Sequence, residues 1–313
     1  MGRANHETGE ARTMTNRQVL LIGNAQTKPQ AEVFAQTAKQ LLDNGLVPVI
    51  PEFDQQALIR HSIDIPGGAT EQSTSNFEVA LVLGGDGSIL RAAELTRGQN
   101  TPILGVNMGH VGFLAEAESQ ALPEVIKAIV EKKYQVRDRI ALEVVVTTAG
   151  KETYRSWALN EVTLEKSARE RMLEVVVEVD SRPLSSFGCD GVLVATPTGS
   201  TAYAFSAGGP ILWPDVEALI MVPLSAHALF ARPIVVDPAT AIAFEVLQRS
   251  PGAGVIWCDG RRSTDLKPGS RVEVKRSSQS VPVAVLDDAP FTDRLVRKFN
   301  LPVTGWRGPE EQN

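Results

Sequence analysis

The chain has 313 residues, of which 43% are hydrophobic and 22% charged, and its net charge is −6. That length suits about two domains, each able to build a core without covalent staples. An acidic balance argues against the basic footprint of a nucleic-acid-binding surface, while leaving room for a local basic pocket that takes an anionic small molecule.

The opening stretch, Met1 to Arg17, is polar and carries no apolar run of signal-peptide type, so residues 1–16 read as a disordered tail, with Met14 an alternative start. "RQVLLIGN" (Arg17–Asn24) is a buried-strand pattern, and "PQAEVFAQTAKQLLDNG" (Pro29–Gly45) is an amphipathic helix with a glycine stop. "LVPVIPEF" (Leu46–Phe53) reads as a second strand, and the polar segment Ile65–Asn76 as a surface loop. "FEVALVLGG" (Phe77–Gly85) is a strand, "SILRAAELT" (Ser88–Thr96) a helix, "TPILGVNMG" (Thr101–Gly109) a strand, and "LPEVIKAIVEKKY" (Leu122–Tyr134) a helix. Strands and helices alternating at this spacing predict βαβ units, hence an α/β first domain with a Rossmann-like parallel sheet over residues 17–136.

From about Arg137 the texture changes. "IALEVVVTT", "ETYRSWALNEVTLEK", "RMLEVVVEVDS", "GVLVATPTGS", "RPIVVDPATAIAFEVL", "GVIWCDGRR", "SRVEVKRSS" and "VPVAVL" are strand-like runs joined by short polar turns, and "PDVEALIMV" carries a sparse helical signal. They predict a β-rich second domain over 137–288. "FTDRLVRKFNLP" (Phe291–Pro302) is helical and basic, and residues 289–313 are expected to pack back on the first domain. The longest apolar stretch, "ALIMVPLSAHALFARPIVV" (Ala218–Val236), is broken by prolines and polar residues, so no membrane association is expected and the cytoplasm is the simplest location. Cys189 and Cys258 lie far apart and form no CxxC pair, which disfavours a zinc site or a disulfide framework.

Three constellations carry chemistry. The first is Gly84-Gly85-Asp86-Gly87 between a strand and a helix. A P-loop would need a lysine after the glycines, and a dinucleotide fingerprint would need a small residue where Leu90 stands. A carboxylate in a phosphate loop would repel phosphate, but at a helix N-terminus it is well placed to stay ionised and to accept a hydroxyl proton, or to hold a magnesium that holds a phosphate. Helix capping by Asp86 is the plain structural alternative. The second is "FGCDGVLVATPTGSTAYAFSAGGPILWP" (Phe187–Pro214), whose hydroxyls and glycines suit ribose and phosphate oxygens, with Asp190 a further acceptor. It contains no GxSxG elbow, which disfavours a serine hydrolase. The third is Asn160-Glu161, which interrupts a strand; neighbouring strand residues face opposite sides, so one of the pair must face a core or cleft and needs a partner. "GVNMGHVGFLAE" (Gly105–Glu116), with Asn107 and His110, reads as a tight turn, and His227 as a hydrogen-bonded structural histidine. Arg91, Lys166, Arg169 and Arg171 are candidates to neutralise phosphate.

In this order and spacing, the glycine–aspartate loop, the "GVNMGHVGFLAE" segment, Asn160-Glu161 and "TPTGSTAYAFSAGGPI" resemble the bacterial-type NAD kinases, above all actinobacterial members, over Val19 to Trp306. The glycine–aspartate motif alone is shared with diacylglycerol-type lipid kinases and phosphofructokinases. The resemblance implies transfer of a phosphoryl group from ATP, or in some members inorganic polyphosphate, to the 2′-hydroxyl of the adenosine ribose of NAD, with Mg²⁺ or another divalent metal. It implies Asp86 as proton acceptor, Gly87 and Arg91 beside the nucleotide, and Asn160, Glu161, Arg171 and Asp190 on the NAD. Thr201, Ala202, Tyr203, Ala204, Phe205 and Ser206 would line the same pocket. It further implies a site between the two domains and a homo-oligomer, a dimer or tetramer. Ser88 stands where the family often has threonine, which keeps the hydroxyl. A lipid kinase and a non-catalytic NAD or NADP sensor are the competing readings; a dehydrogenase is disfavoured by the missing fingerprint.

Overall fold

The computed structural model describes residues 17–66, 77–109, 112–115, 117–168, 171–286 and 290–303. The tail before Arg17, most of the Ile65–Asn76 loop, His110, Arg169 and the chain beyond Val303 lie outside the described residues. In chain order the first part comprises β1 (Gln18–Gly23), α1 (Lys28–Asp43), β2 (Val47–Val49), α2 (Glu52–Arg60), β3 (Val79–Leu83), α3 (Asp86–Leu95), β4 (Ile103–Asn107), β5 (Ala117–Glu118), α4 (Leu122–Glu131) and β6 (Gln135–Arg139). α1 begins with Pro29 in its first turn and the Thr27 amide donating to Gln30 Oε1 at 3.2 Å, and it stops at Gly45, whose φ of +75° suits glycine.

The second part comprises β7 (Leu142–Thr148), β8 (Lys151–Ala158), β9 (Glu161–Lys166), β10 (Leu173–Val179), β11 (Arg182–Cys189), β12 (Gly191–Ala195), the short α5 (Tyr203–Ser206), β13 (Leu219–Leu224), β14 (Ile234–Val236), β15 (Ile242–Val246), β16 (Gly254–Cys258), β17 (Arg262–Leu266) and β18 (Ser270–Arg276). β19 (Val281–Val285) and α6 (Phe291–Phe299) close the described chain.

The first sheet runs β2-β1-β3-β4-β19-β6, with β5 also on β4; its pairs are parallel except β19 with β6. β1, β3 and β4 are buried on both faces, which is why they read as unbroken apolar runs. α1, α2 and α4 cover one face through Phe34, Leu41, Leu58, Val125 and Ile129. The other face takes Ile89, Ala92 and Ala93 of α3 together with Ala141, Leu159 and the partly buried Trp157 of the second part. One apolar cluster therefore welds α3 to the strand end that carries Asn160.

The remaining strands form two six-stranded antiparallel sheets, β11-β10-β15-β18-β7-β8 and β14-β13-β12-β9-β16-β17, packed face to face. β7 and β10 alternate buried and part-exposed residues. β12 is buried throughout because its second face packs Leu193 and Ala195 under Ala204 of α5.

Three sequence expectations differ. The run "LVPVIPEF" stops being a strand at Val49; Pro51 opens α2, and Glu52 and Phe53 are helical. "PDVEALIMV" is not helical: Leu219 begins β13, pinned between β12 and β14. "VPVAVL", expected in the second domain, hydrogen bonds with β4 and β6 of the first sheet. Alternation marks a strand but does not name its sheet.

Candidate active site

The turn from β3 into α3 places Asp86 in the first turn of the helix, with Gly85 as its extended N-cap. Its carboxylate is gripped from the chain after β4: Phe113 N donates to Oδ2 at 3.3 Å and Leu114 N to Oδ1 at 3.1 Å. Gly112 makes this approach possible, since a Cβ there would lie 2.5 Å from Asp86 Oδ1. The "GVNMGHVGFLAE" segment is thus more than a turn. Asn107 does build the turn, accepting from Gly109 N and donating to Glu118. The following Gly112-Phe113-Leu114 orients the carboxylate, a role the sequence reading missed although three spaced glycines signalled a close approach.

Gly85, Gly87, Ser88 and Arg91 line a cleft of about 540 Å³ with Gly23, Asn24, Phe53 and Arg261. Arg91 Nη2 donates to both oxygens of Asp54 at 2.8 Å and to Gly23 O at 2.7 Å, and its guanidinium lies 4.6 Å from the Phe53 ring centre. Burial pushes the Asp54 carboxyl up, and the Arg91 charge opposes that. Arg91 therefore ties α3 to α2 and the end of β1.

Asn160 and Glu161 sit where β8 gives way to β9. Both are buried, and Asn160 Oδ1 and Glu161 Oε2 have no hydrogen-bond partner. Alternation predicted one such residue; the strand break gives two. Asp259 fixes the break: its carboxylate accepts from the amides of Leu159 (3.0 Å), Asn160 (2.7 Å) and Glu161 (3.4 Å), and pairs with Arg262 at 2.9 Å. Burial first, and then the Asp259 charge, push the Glu161 carboxyl up to about 8, against the Tyr203 amide that donates to it. Asp259, Arg261 and Arg262 escaped the sequence reading, although Asp-Gly between two strand-like runs signals a tight hairpin.

The hydroxyl-rich run folds as a one-turn 3₁₀ helix over Thr198–Thr201, then α5. Gly199 rides directly on Asn160, where a Cβ would meet the Asn160 carbonyl at 2.1 Å. Many of its hydroxyls serve the loop itself, since buried hydroxyls must bond locally. Thr196 donates to Leu159 O, Ser200 to Pro197 O, and Thr201 to Thr198 O. Thr198 and Thr201 face Phe113 and Leu114 across a cavity of about 30 Å³ that Phe291 and Arg294 of α6 cover. Ala202 joins the two helical turns, Ala204 is buried, and Phe205 stacks on Phe299 at 4.7 Å. Tyr203 and Ser206 line a separate groove of about 470 Å³ with Glu165, Lys166 and Asp190.

Asp190 pairs with Lys166, which with His227 and Ser225 lowers its carboxyl, the Lys166 hydrogen bond most. Lys166 ends β9, roughly 17 Å along the strand from Glu161. Arg171 donates to Pro251 O at 2.9 Å on the exposed β9–β10 connection. Asp86, Asn160, Glu161 and the Thr198–Tyr203 stretch are linked through shared neighbours in this chain; Arg171 and Asp190 belong to the far end of β9.

A model of the ATP-NAD kinase N-terminal domain matches residues 19–134, and one of the ATP-NAD kinase C-terminal domain matches residues 159–286. The chain belongs to the NAD kinase family. An NAD kinase of Leifsonia xyli subsp. xyli is 52% identical over 297 residues, spanning 94% of this chain and 98% of that protein. That of Mycobacterium tuberculosis is 58% identical over 240 residues, 77% of this chain and 78% of its own. The crystal structure of yeast NADH kinase complexed with NADH shares the fold, with a TM-score of 0.82 over 93% of this chain and 89% of that one at 20% identity. The NAD kinase fold is thus the α/β domain and antiparallel β domain described above, and among the described residues no helix is long and apolar enough to cross a membrane.

Proposed function

We propose that the protein phosphorylates the 2′-hydroxyl of the adenosine ribose of NAD to give NADP, using ATP, another nucleoside triphosphate or inorganic polyphosphate. One observation carries the reading: an amide-gripped carboxylate, Asp86, shares neighbours with two buried, unpartnered polar oxygens, Asn160 Oδ1 and Glu161 Oε2. Orphaned buried polar atoms are costly, and a polyhydroxylated ligand would satisfy them.

Each Asp86 oxygen accepts one amide and keeps lone-pair capacity for a hydroxyl proton. The ribose oxygen attacks the terminal phosphorus, its proton passes to Asp86, and the donor leaves one phosphate shorter. Proton transfer late in a loose transition state asks little basicity of the carboxylate. Among the described residues no three His, Cys, Asp or Glu side chains gather as a metal site. Magnesium is a hard cation that takes oxygen ligands, and Asp86 is the carboxylate that would hold it beside the donor's phosphates. The metal would supply charge neutralisation.

Arg171 and Asp190, placed at the far end of β9, would reach the same NAD from a second copy. That favours a homo-oligomer, and exposed Leu229 and Phe230 offer apolar surface for one. NAD and ATP are both cytoplasmic, which is where the reaction belongs. Asp86→Asn should lower kcat about 10²- to 10⁴-fold while NAD affinity stays within severalfold. A coupled assay with an NADP-specific dehydrogenase reads the first and calorimetry the second; near-normal turnover would end the base role.

A further inference from the structure

Phosphoryl transfer needs cationic charge on the donor phosphates, and the Gly84–Gly87 loop brings no lysine. Among the described residues, two cations line the cleft beside that loop, Arg91 and Arg261. Arg91 is committed elsewhere: Asp54, itself 1% exposed, is its dedicated counter-ion, and Gly23 O takes a further bond.

Arg261 is built differently. It comes from the second domain, at the tip of the β16–β17 hairpin, and crosses to the first. Asp259 and Gly260 both adopt left-handed backbone, with φ of +54° and +62°, and Arg261 N closes the turn onto Cys258 O at 3.0 Å. The side chain forks onto Glu94 of α3, with Nε on Oε1 at 3.0 Å and Nη2 on Oε2 at 3.1 Å. This anchoring uses one edge of the guanidinium and leaves Nη1 for the cleft.

The local charge balance favours an anion. Arg262 contacts the same Glu94 at 3.1 Å and also Asp259, while Arg97 bonds to neutral groups, Ser277 Oγ and Gln279 O. Arg97 and Arg262 sandwich Trp157, their guanidinium carbons 4.3 and 4.5 Å from its ring centre. Three guanidinium groups thus meet two carboxylates in direct contact. The surplus positive charge reaches solvent at Arg261, beside the Gly85 and Gly87 backbone.

We propose that Arg261 is a catalytic residue that binds the phosphates of the donor, closing the glycine loop's cleft from the opposite domain. The assignment rests on the kinase reading above and adds to it where the donor's charge is met. The interdomain fork makes it a clamp held in place before the donor arrives, and a charged fork suits phosphate geometry.

The test is Arg261→Gln, with Arg261→Lys beside it. Inorganic tripolyphosphate titrated into the whole protein by calorimetry probes the cleft without turnover. Arg261→Gln should weaken its binding about 10- to 100-fold, the effect of losing a charged hydrogen bond. kcat/KM for ATP should fall comparably, KM for NAD should move less than twofold, and Arg261→Lys should recover part of the loss. Equal tripolyphosphate binding by wild type and Arg261→Gln, no binding by wild type, or a parallel loss of NAD affinity would each overturn the proposal. Wild-type protein that binds tripolyphosphate yet makes no NADP would instead overturn the kinase reading and leave the anion site standing.

Discussion

Glu161 and Asp259 are two acids within one buried pocket, and their surroundings sort them. Burial pushes both carboxyls up, but three amides and the Arg262 cation oppose it at Asp259, which carries the charge, while Glu161, with a single backbone donor, holds a proton up to about pH 8. Its ordinary value is 4.5, so between there and about 8 the unfolded chain binds fewer protons than the folded one. Stability therefore falls as pH rises through that window. Glu161→Gln removes the titration, and its melting temperature relative to wild type should climb between pH 5 and pH 8. A neutral Glu161 donates from Oε2, as a glutamine amide would. NAD binding at pH 7 should survive Glu161→Gln within severalfold, and above pH 8 it should weaken in wild type but not in the variant. Asp259→Asn takes away the neighbouring charge, so the wild-type pH break should move downward. Calorimetric NAD titrations across pH 6–9 measure all three proteins; a pH-independent wild type would refute the assignment.

At the scale of elements, α6 covers the small cavity beside Asp86. It is amphipathic and docks by the face that carries Phe291, Leu295 and Phe299: Phe299 lies 5.6 Å from Phe113 and 4.7 Å from Phe205, Phe291 lies 5.3 Å from Trp213, and Arg294 donates to Phe113 O. Beneath it the cavity beside the Asp86 grip is about 30 Å³, space for a water or two. Were α6 to swing aside, that space would admit a ribose, and the free protein would pay an opening penalty on binding NAD. Phe299→Ala frees two aromatic contacts and should tighten NAD binding about three- to tenfold, with kcat no higher. Weaker binding would mean that α6 belongs to the bound site instead. The sequence marked α6 as a basic helix expected to pack back on the first domain, but not its partners Phe113 and Phe205, because they lie far away in the chain. α2 was hidden for a local reason: Pro51 ends one apolar run and begins a helix whose most buried polar residue, Asp54, breaks the expected pattern.

For the molecule as a whole, the sequence separated the α/β part from the β-rich part because the hydrophobic period changes from helical to alternating. It could not show that β19 returns to the first sheet, since register and sheet membership are set by contacts distant in sequence. Asp86 was legible as a carboxylate in a glycine loop between strand and helix, and Asn160 and Glu161 as polar breaks in an apolar strand. Asp259 and Arg261 were not, because a hairpin tip looks the same whether or not it reaches another domain. The same limit applies to Arg171 and Asp190, which this chain holds at the far end of β9, away from Asp86. If they bind NAD from a neighbouring copy, each site combines Asp86 of one protomer with Asp190 of another. Asp86→Asn and Asp190→Asn proteins, each impaired alone, should then complement. Random mixing into symmetric dimers makes half of the assemblies mixed, and one of the two sites in each is intact. Activity should return to about 25% of wild type after co-refolding or prolonged exchange. Light scattering on the same samples gives the assembly size. No recovery from a mixture shown to exchange subunits would place every NAD contact within one chain.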